Sequence, residues 1–291
     1  YNDRRGEITL TTTQLVQQMS QSSVSDGAEP LTVDDLHQAF RVLASQFDDK
    51  HGGIGLQPKF PQPMVFEYLL RYHARTGTPE ALEMVEQTLR LMARGGIYDQ
   101  LGGGFHRYST DAVWLVPHFE KMLYDNALLV KLYLHAYQVT GDPLYRRVVQ
   151  ETLDYVLREM TDPLGGFYSA QDADSEGVEG KFFIWRPEEI AAILGKEDAE
   201  VINRYFGVAL QGNFEGRTIL HVAENPAIVA NESGMTDKEL DQHIDESFVY
   251  GTDSTFKFMD DALDRGFDGW AVATQMLYIS AFILHGYNVG Y

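Results

Sequence analysis

Apolar residues recur at helical spacing over several stretches of this 291-residue chain, separated by long segments rich in glycine and aromatics. Leu36, Phe40, Leu43 and Phe47 follow the capping residue Thr32 at helical intervals, which predicts a first helix. A second helix is predicted over 62–76, ending at Thr76-Gly77-Thr78-Pro79, and a third from there to about Arg94. The pattern then returns at an offset of 64 residues. A helix over 118–140 ends at Thr140-Gly141-Asp142-Pro143, and its partner runs to about Met160. Val85 matches Val149 and Thr88-Leu89 matches Thr152-Leu153 at the same offset. Glycine stops a helix and proline starts the next, so each unit is a helical hairpin with a tight turn. A repeated hairpin is the unit of a stacked helical array.

Consecutive helices run antiparallel, so the tight turns share one end of the array and the long segments 48–61, 95–117 and 161–186 share the other. Each long segment carries a Gly-Gly-apolar element: Gly52-Gly53-Ile54, Gly103-Gly104-Phe105 and Gly165-Gly166-Phe167. Short connections at one face and long ones at the other is the layout of a scaffold with its site on one face. The expected fold is all-α, an α/α toroid in which helical hairpins close around a funnel. Further along, helices are expected over 187–194 (stopped by Gly195), 199–206, 236–249, 256–265 and 270–286, with a hairpin or irregular loop at 210–222. Residues 1–31 are polar and read as a linker, with Arg4–Val16 the end of a helix belonging to an upstream domain; 32–291 is the toroid.

Composition narrows the functional classes. The net charge of -20 repels a phosphate backbone, so nucleic acid is not an expected partner. Without cysteine there are no disulfides, thiolate metal sites or thiol nucleophiles, which fits a reducing, cytoplasmic setting. No apolar run reaches the length of a membrane span, and YNDRRGEITL does not read as a signal peptide, so no membrane partner is expected.

The stretch 95–129, GGIYDQLGGGFHRYSTDAVWLVPHFEKMLYDNALL, is too long and too apolar for a structureless loop, and reads as a folded, site-bearing one. With LQPKFPQP (56–63) and GGFYSAQDADSEGVEGKFFIW (165–185) it resembles the thioredoxin-domain-containing family related to spermatogenesis-associated protein 20, a likeness covering roughly 47–225. The resemblance implies an (α/α)6 toroid of the six-hairpin glycosidase class, similar to N-acylglucosamine 2-epimerase and cellobiose 2-epimerase. In that family a thioredoxin-like domain precedes the toroid. None is legible here and no Cys-x-x-Cys pair exists, so no redox activity is expected of this chain. Residues 226–291 depart from the family pattern, which puts closure of the ring in question; an open ring would bare apolar helix faces, and a homodimer is the expected consequence.

Candidate chemistry collects in the long segments. His118 follows Pro117 in what reads as the first turn of a helix, where the dipole favours a neutral imidazole fit for a general base, and His106 is the second candidate. Two histidines flanking a sugar carbon is the arrangement the epimerase likeness implies; packing roles are the alternative. Asp125 lies two turns after His118 on the same expected face, to orient it, bind hydroxyls or anchor a loop; Glu120 falls on another face. Asp172 and Asp174 sit in an acidic run that imitates an EF-hand start but has Phe183 where a bidentate Glu is required. Paired with Asp99, Asp111 or Glu120 they are candidates for glycoside hydrolysis; a solvated turn is the other reading. Tyr98, Phe105, Tyr108, Trp114 and Trp185 could stack on sugar rings or pack the loops, with Tyr108 and Trp114 the first choices for stacking. Lys59 points into the funnel or ties down a loop. Gly102-Gly103-Gly104 lacks the strand-then-helix context of a phosphate loop. A small-molecule sugar is the expected ligand, bound without cofactor or metal, for a sugar epimerase, isomerase or glycoside hydrolase. The alternative is a non-catalytic carbohydrate- or protein-binding module accompanying a thioredoxin-like domain.

Overall fold

Gly77 and Gly141 both adopt the left-handed conformation (φ 71°) that ends a helix, and Pro79 and Pro143 each open the next one. The turns match atom by atom. The Thr76 hydroxyl donates to Tyr72 O and accepts from the Thr78 amide, and the Thr140 hydroxyl donates to Ala136 O and accepts from the Asp142 amide. In a computed structural model, which describes residues 9–10, 12–17 and 30–247, these turns join the helices of two hairpins.

Helix α1 spans Val33–Gln46, α2 Pro63–Thr76, α3 Pro79–Arg94, α4 Leu123–Thr140 and α5 Pro143–Glu159. The chain divides into compact units at Arg41/Val42. In the first, residues 12–17 are helical, and Thr32 caps α1 by accepting the Asp35 amide while the Asp35 carboxylate accepts the Thr32 amide. In the second, α4 packs on α2, α3 and α5. It buries most of its surface, as its position requires: Leu123, Ala127, Leu129, Val130, Leu132, Tyr133 and Ala136 are all buried. The repeat positions share a fate, since Val85, Thr88, Leu89, Val149, Thr152 and Leu153 are buried too. At about 25 cal/mol per Å² of apolar area, this interior dominates the stability of the unit.

Downstream, α6 (Pro187–Leu194) and α7 (Lys196–Tyr205) share Gly195 as end and start, so α7 begins three residues before the expected 199. Helix α8 (Pro226–Glu232) was not expected; α9 (Asp237–Ser247) answers to the expected helix at 236–249. Ile190, Ile202, Tyr205, Phe206, Leu220, Val229 and Leu240 close a satellite core among them. Residues 210–222 form a tight turn (a Phe214–Arg217 bridge) and then Thr218–Ile219, which pairs antiparallel with Ile184–Trp185. The expected helices at 256–265 and 270–286 lie outside the described residues.

One expectation fails at a place that matters. The helix read from 118 begins at Leu123. Pro117–His118 is instead a two-residue strand paired with Tyr108–Ser109, and Lys121–Met122 is another paired with Ala170–Gln171. The Arg107 amide donates to Glu120 O (2.8 Å) and the Thr110 amide to Val116 O (2.8 Å), so loop–loop bonds claim this backbone before a helix does.

The loop end is held by a device built twice. Asp48 and Asp99 each stand four residues before a Gly-Gly-apolar element, and in each copy the first Gly amide of that element donates to the Asp carbonyl. A buried lysine then closes each loop. Lys59 Nζ donates to Asp48 Oδ2 (2.6 Å) and Gly52 O (2.6 Å); Lys121 Nζ donates to Asp99 Oδ2 (2.7 Å) and Gly103 O (2.9 Å). Both ammonium groups also face rings, Lys59 that of Trp114 and Lys121 those of Tyr155 and Phe183. The third glycine element has a tighter turn and no lysine: Gly165 donates to Asp162 O, three residues back, and the Asp162 carboxylate accepts the Tyr168 hydroxyl.

Candidate functional site

The three long segments meet. Lys59 pairs with Ser109 across the first and second, and Trp114 Nε1 donates to His51 O (2.9 Å). Lys121–Met122 pairs with Ala170–Gln171 at the base of the third, and Gly180 lies so close to the Phe119 ring that a Cβ would fall 2.4 Å from it. Where the second and third segments face residues 217–220 they enclose a cavity of about 420 Å³, lined by Tyr98, Asp99, Gln100, His106, Phe119, Ser175, Glu176, Lys181, Phe182, Phe183, Trp185, Glu189 and Arg217, among others. A cavity of this size admits a monosaccharide-sized ligand.

His106 stands in its wall. Asn126, the one polar side chain buried in α4, accepts the Phe105 amide at Oδ1 (2.7 Å) and donates to Phe105 O (3.0 Å) and Met122 O (2.9 Å), which fixes the segment before His106. Gly103 must be glycine, because a Cβ there would sit 2.4 Å from the carbonyl oxygen of Glu151 on α5. The imidazole is buried, with its ring edge-on to Phe119 (5.3 Å) and Phe183 (4.8 Å). Nδ1 lies 2.9 Å from Phe119 O, and a carbonyl only accepts, so the proton is on Nδ1. Nε2 then carries a lone pair and has no protein partner among the described residues. Burial and then the Lys121 ammonium depress the histidine to about 3, so it is neutral throughout the physiological range. Burial acts in the opposite sense on Asp99, but the Lys121 ammonium and the Gly102 amide outweigh it and keep the carboxylate ionised.

The other sequence candidates lie as follows. Asp99 lines the cavity but is bonded to Lys121 and to the amides of Leu101 and Gly102. His118 is on a strand, not at a helix N-terminus, so the dipole argument and the two-turn relation to Asp125 both lapse. It stacks on Tyr108 (5.1 Å), with Nδ1 2.7 Å from Glu179 and Nε2 3.8 Å from Glu120. Glu120 pairs with Arg107 (2.9 Å). Tyr108 is flanked on its other face by Phe60 (4.8 Å). Asp125 is half-buried in the first turn of α4, and burial raises it to about 7. Asp172 and Asp174 are exposed at the base of a β-turn whose tip is Glu176-Gly177, both left-handed. Neither aspartate is among the cavity-lining residues, whereas Ser175 and Glu176 are. Asp111 accepts the amides of Val113, Leu115 and Val116 and so knots its own loop. Trp114 and Lys59 are buried, Trp114 against His51 and Gly53 and Lys59 in its ion pair; neither presents a face to a ligand.

Sequence reading missed Lys121, Asn126, Phe182 and Arg217. Lys121 had a signal, the Asp-x-x-x-Gly-Gly element shared with Asp48, and Asn126 had one in being polar within an apolar helix. Arg217 had none, because its partners Glu189 and Ile184 lie about thirty residues away. Among the described residues no group of three or more His, Asp or Glu is arranged to hold a metal ion, and no helix is long and apolar enough to cross a membrane.

The helical hairpins, their stacking and their loop-end cavity define an all-α domain built of helical hairpins. The chain is homologous to spermatogenesis-associated protein 20: it is 36% identical to the Mus musculus protein over 214 residues (67% of this chain, 27% of that one) and 34% identical to the Homo sapiens protein over 246 residues (74% and 31%). A Caenorhabditis elegans protein of no stated function is 37% identical over 188 residues. The chain therefore spans less than a third of the length of the mammalian relatives. No family profile matches it. Among solved structures, a sugar epimerase from a ruminal bacterium aligns at TM-score 0.44 and 14% identity over 59% of this chain and 49% of that one. A cellobiose 2-epimerase from Bacillus thermoamylovorans aligns at 0.43 and 12% over 58% and 49%. Likeness of that degree has no bearing on chemistry.

Proposed function

We propose that the domain binds a monosaccharide-sized carbohydrate in the cavity walled by His106. The observation that carries this reading is a neutral, fixed imidazole whose Nε2 lone pair has no protein partner among the described residues, set among Phe119, Phe183 and Trp185. Aromatic faces suit the apolar faces of a sugar ring, and a lone-pair acceptor suits its hydroxyl. Phe182, at the rim and 70% exposed, is a platform that folding alone does not call for. Glycoside hydrolysis is the weaker fit, since it needs an unpaired carboxyl pair across the ligand. Asp99, Glu176 and Glu189, the carboxylates of the cavity, are each ion-paired.

Recognition fits better than base catalysis. An imidazole held at about 3 has given up about 5 kcal/mol of proton affinity against an ordinary histidine, at 1.36 kcal/mol per pH unit, and removes a carbon-bound proton poorly. The open Nε2 keeps one second reading in view, epimerase-type proton transfer at a sugar carbon. Titration calorimetry with aldoses, hexosamines and disaccharides tests the first reading. Binding is expected to weaken roughly two- to tenfold in Phe182→Ala, the worth of one aromatic contact. If no sugar binds, or Phe182→Ala leaves affinity untouched, the assignment falls. Uptake of solvent deuterium at C2 of a bound aldose, abolished in His106→Gln, would establish the second.

A further inference from the structure

We propose that the carbohydrate held in this cavity bears an anionic group, a carboxylate or a phosphate, received by Arg217 and Lys181. The inference rests on the cavity being the sugar site and adds the class of sugar. Both side chains line the cavity. A guanidinium has five N–H donors and an ammonium three. Arg217 uses Nε and Nη2 on Ile184 O (3.3 and 3.1 Å) and Nη2 on both oxygens of Glu189 (2.7 and 2.6 Å), so both N–H groups of Nη1 lack an acceptor among the described residues. Lys181 gives one N–H to Glu176, and its other two lack an acceptor among the described residues.

Most of the cavity's carboxylate oxygens are already engaged. Both Glu189 oxygens are engaged by Arg217, one of them also by the Arg186 amide (2.9 Å), and Asp99 is satisfied by Lys121 and two backbone amides. Beside the His106 Nε2 lone pair and the second Glu176 oxygen, the cavity therefore has surplus donors, and they are cationic. A neutral sugar brings a donor with each acceptor, whereas a carboxylate or phosphate brings acceptors only and matches the planar fork of a guanidinium.

Arg217 is also set in place beforehand. Its amide donates to Phe214 O and its carbonyl accepts the amides of Asn213 and Phe214, while a Cβ at Gly212 would meet that carbonyl oxygen at 2.1 Å. The fork is thus fixed before a ligand arrives, and little ordering is lost on binding. The chain's charge of -20 does not attract anions over distance, so the preference comes from these short-range donors.

The test is calorimetry on the full chain with D-glucose, D-glucuronate and D-glucose 6-phosphate. At least one anionic sugar is expected to bind about tenfold or more tightly than glucose, the worth of a charge-assisted contact, and which one does so separates the two sources of the charge. Lys181→Met, at an exposed position, and Arg217→Lys, which keeps the charge but not the fork, are each expected to weaken the anionic sugar more than glucose and so erase most of that preference. Glucose binding as tightly as both anions overturns the inference and leaves the sugar site standing. An anion preference surviving both substitutions places the charge elsewhere and also overturns it. If none of the three binds, both readings fall.

Discussion

Replacing Lys121 by methionine is the sharpest test of how the site is held. Methionine keeps most of the stem's volume, so the change removes charge and donors and leaves little cavity. Two acceptors lose their partner, Asp99 Oδ2 at 2.7 Å and Gly103 O at 2.9 Å. Each orphaned buried acceptor costs about 1–3 kcal/mol. Breaking a buried pair from one side costs about 3–5 kcal/mol as a whole, because the remaining charge is uncompensated. The two routes converge on about 4 kcal/mol, a shift of about 10 °C in Tm for a unit of this size. Urea unfolding followed by far-UV circular dichroism at neutral pH measures it, with an unchanged m-value showing that the folded state is intact. The twin Lys59→Met, which leaves Asp48 and Gly52 in the same condition, is expected to cost a similar amount; the exposed pair of Lys181 and Glu176 sets the scale at about 0–1 kcal/mol. Adding Asp99→Asn to Lys121→Met is expected to recover part of the loss, since the uncompensated charge is then gone. In the single Lys121→Met variant the His106 titration, followed by NMR of the imidazole, is expected to move up, because the Lys121 charge is one of the causes that depress it and the Asp99 charge remains. A loss below about 1.5 kcal/mol, the net worth of one ordinary hydrogen bond, would refute the view that this pair holds the cavity wall.

Other expectations follow from the same geometry. His106 is depressed to about 3 when folded, so the unfolded chain binds the extra proton between its ordinary 6.5 and about 3; its contribution to stability falls as pH drops through that window, and His106→Gln is expected to flatten the acid limb of unfolding curves. Asp125 has the opposite sign. Raised from 3.8 to about 7, it is protonated in the folded state where the unfolded state has released its proton, so stability falls as pH rises through that range. Asp125→Asn should therefore stabilise the domain at pH 8 relative to wild type and lose that advantage near pH 4. Gly103→Ala (φ 73°) meets the Glu151 carbonyl at 2.4 Å, whereas Gly165→Ala also has a positive φ (90°) but open space around it. Thermal unfolding is expected to show a loss of about 1–2 kcal/mol for Gly165→Ala, the left-handed backbone cost alone, and a clearly larger one for Gly103→Ala.

Much of the scaffold was legible in the chain. Hairpin turns are local events, and the Thr-Gly-x-Pro signal carries its own mechanism, so the bounds of α2, α3 and α5 follow from a few adjacent residues. The convergence of the long loops followed from direction alone, since antiparallel rods leave no other end for them. The start of α4 was not legible. Residues 117–122 have nothing against helix in their own sequence; they are extended because residues 107–110 and 170–171, distant in the chain, claim their hydrogen bonds.

The site divides along the same line. The sequence determined that aromatic, glycine-rich segments with buried-type aspartates would share one face, because periodicity and turn chemistry act over a few residues. Tertiary structure alone decided which polar groups stayed unsatisfied there. Among the described residues His106 Nε2 and Arg217 Nη1 lack protein partners while Trp114 is engaged by His51, 63 residues away, and that is settled by contacts between distant segments, where local pattern holds no information.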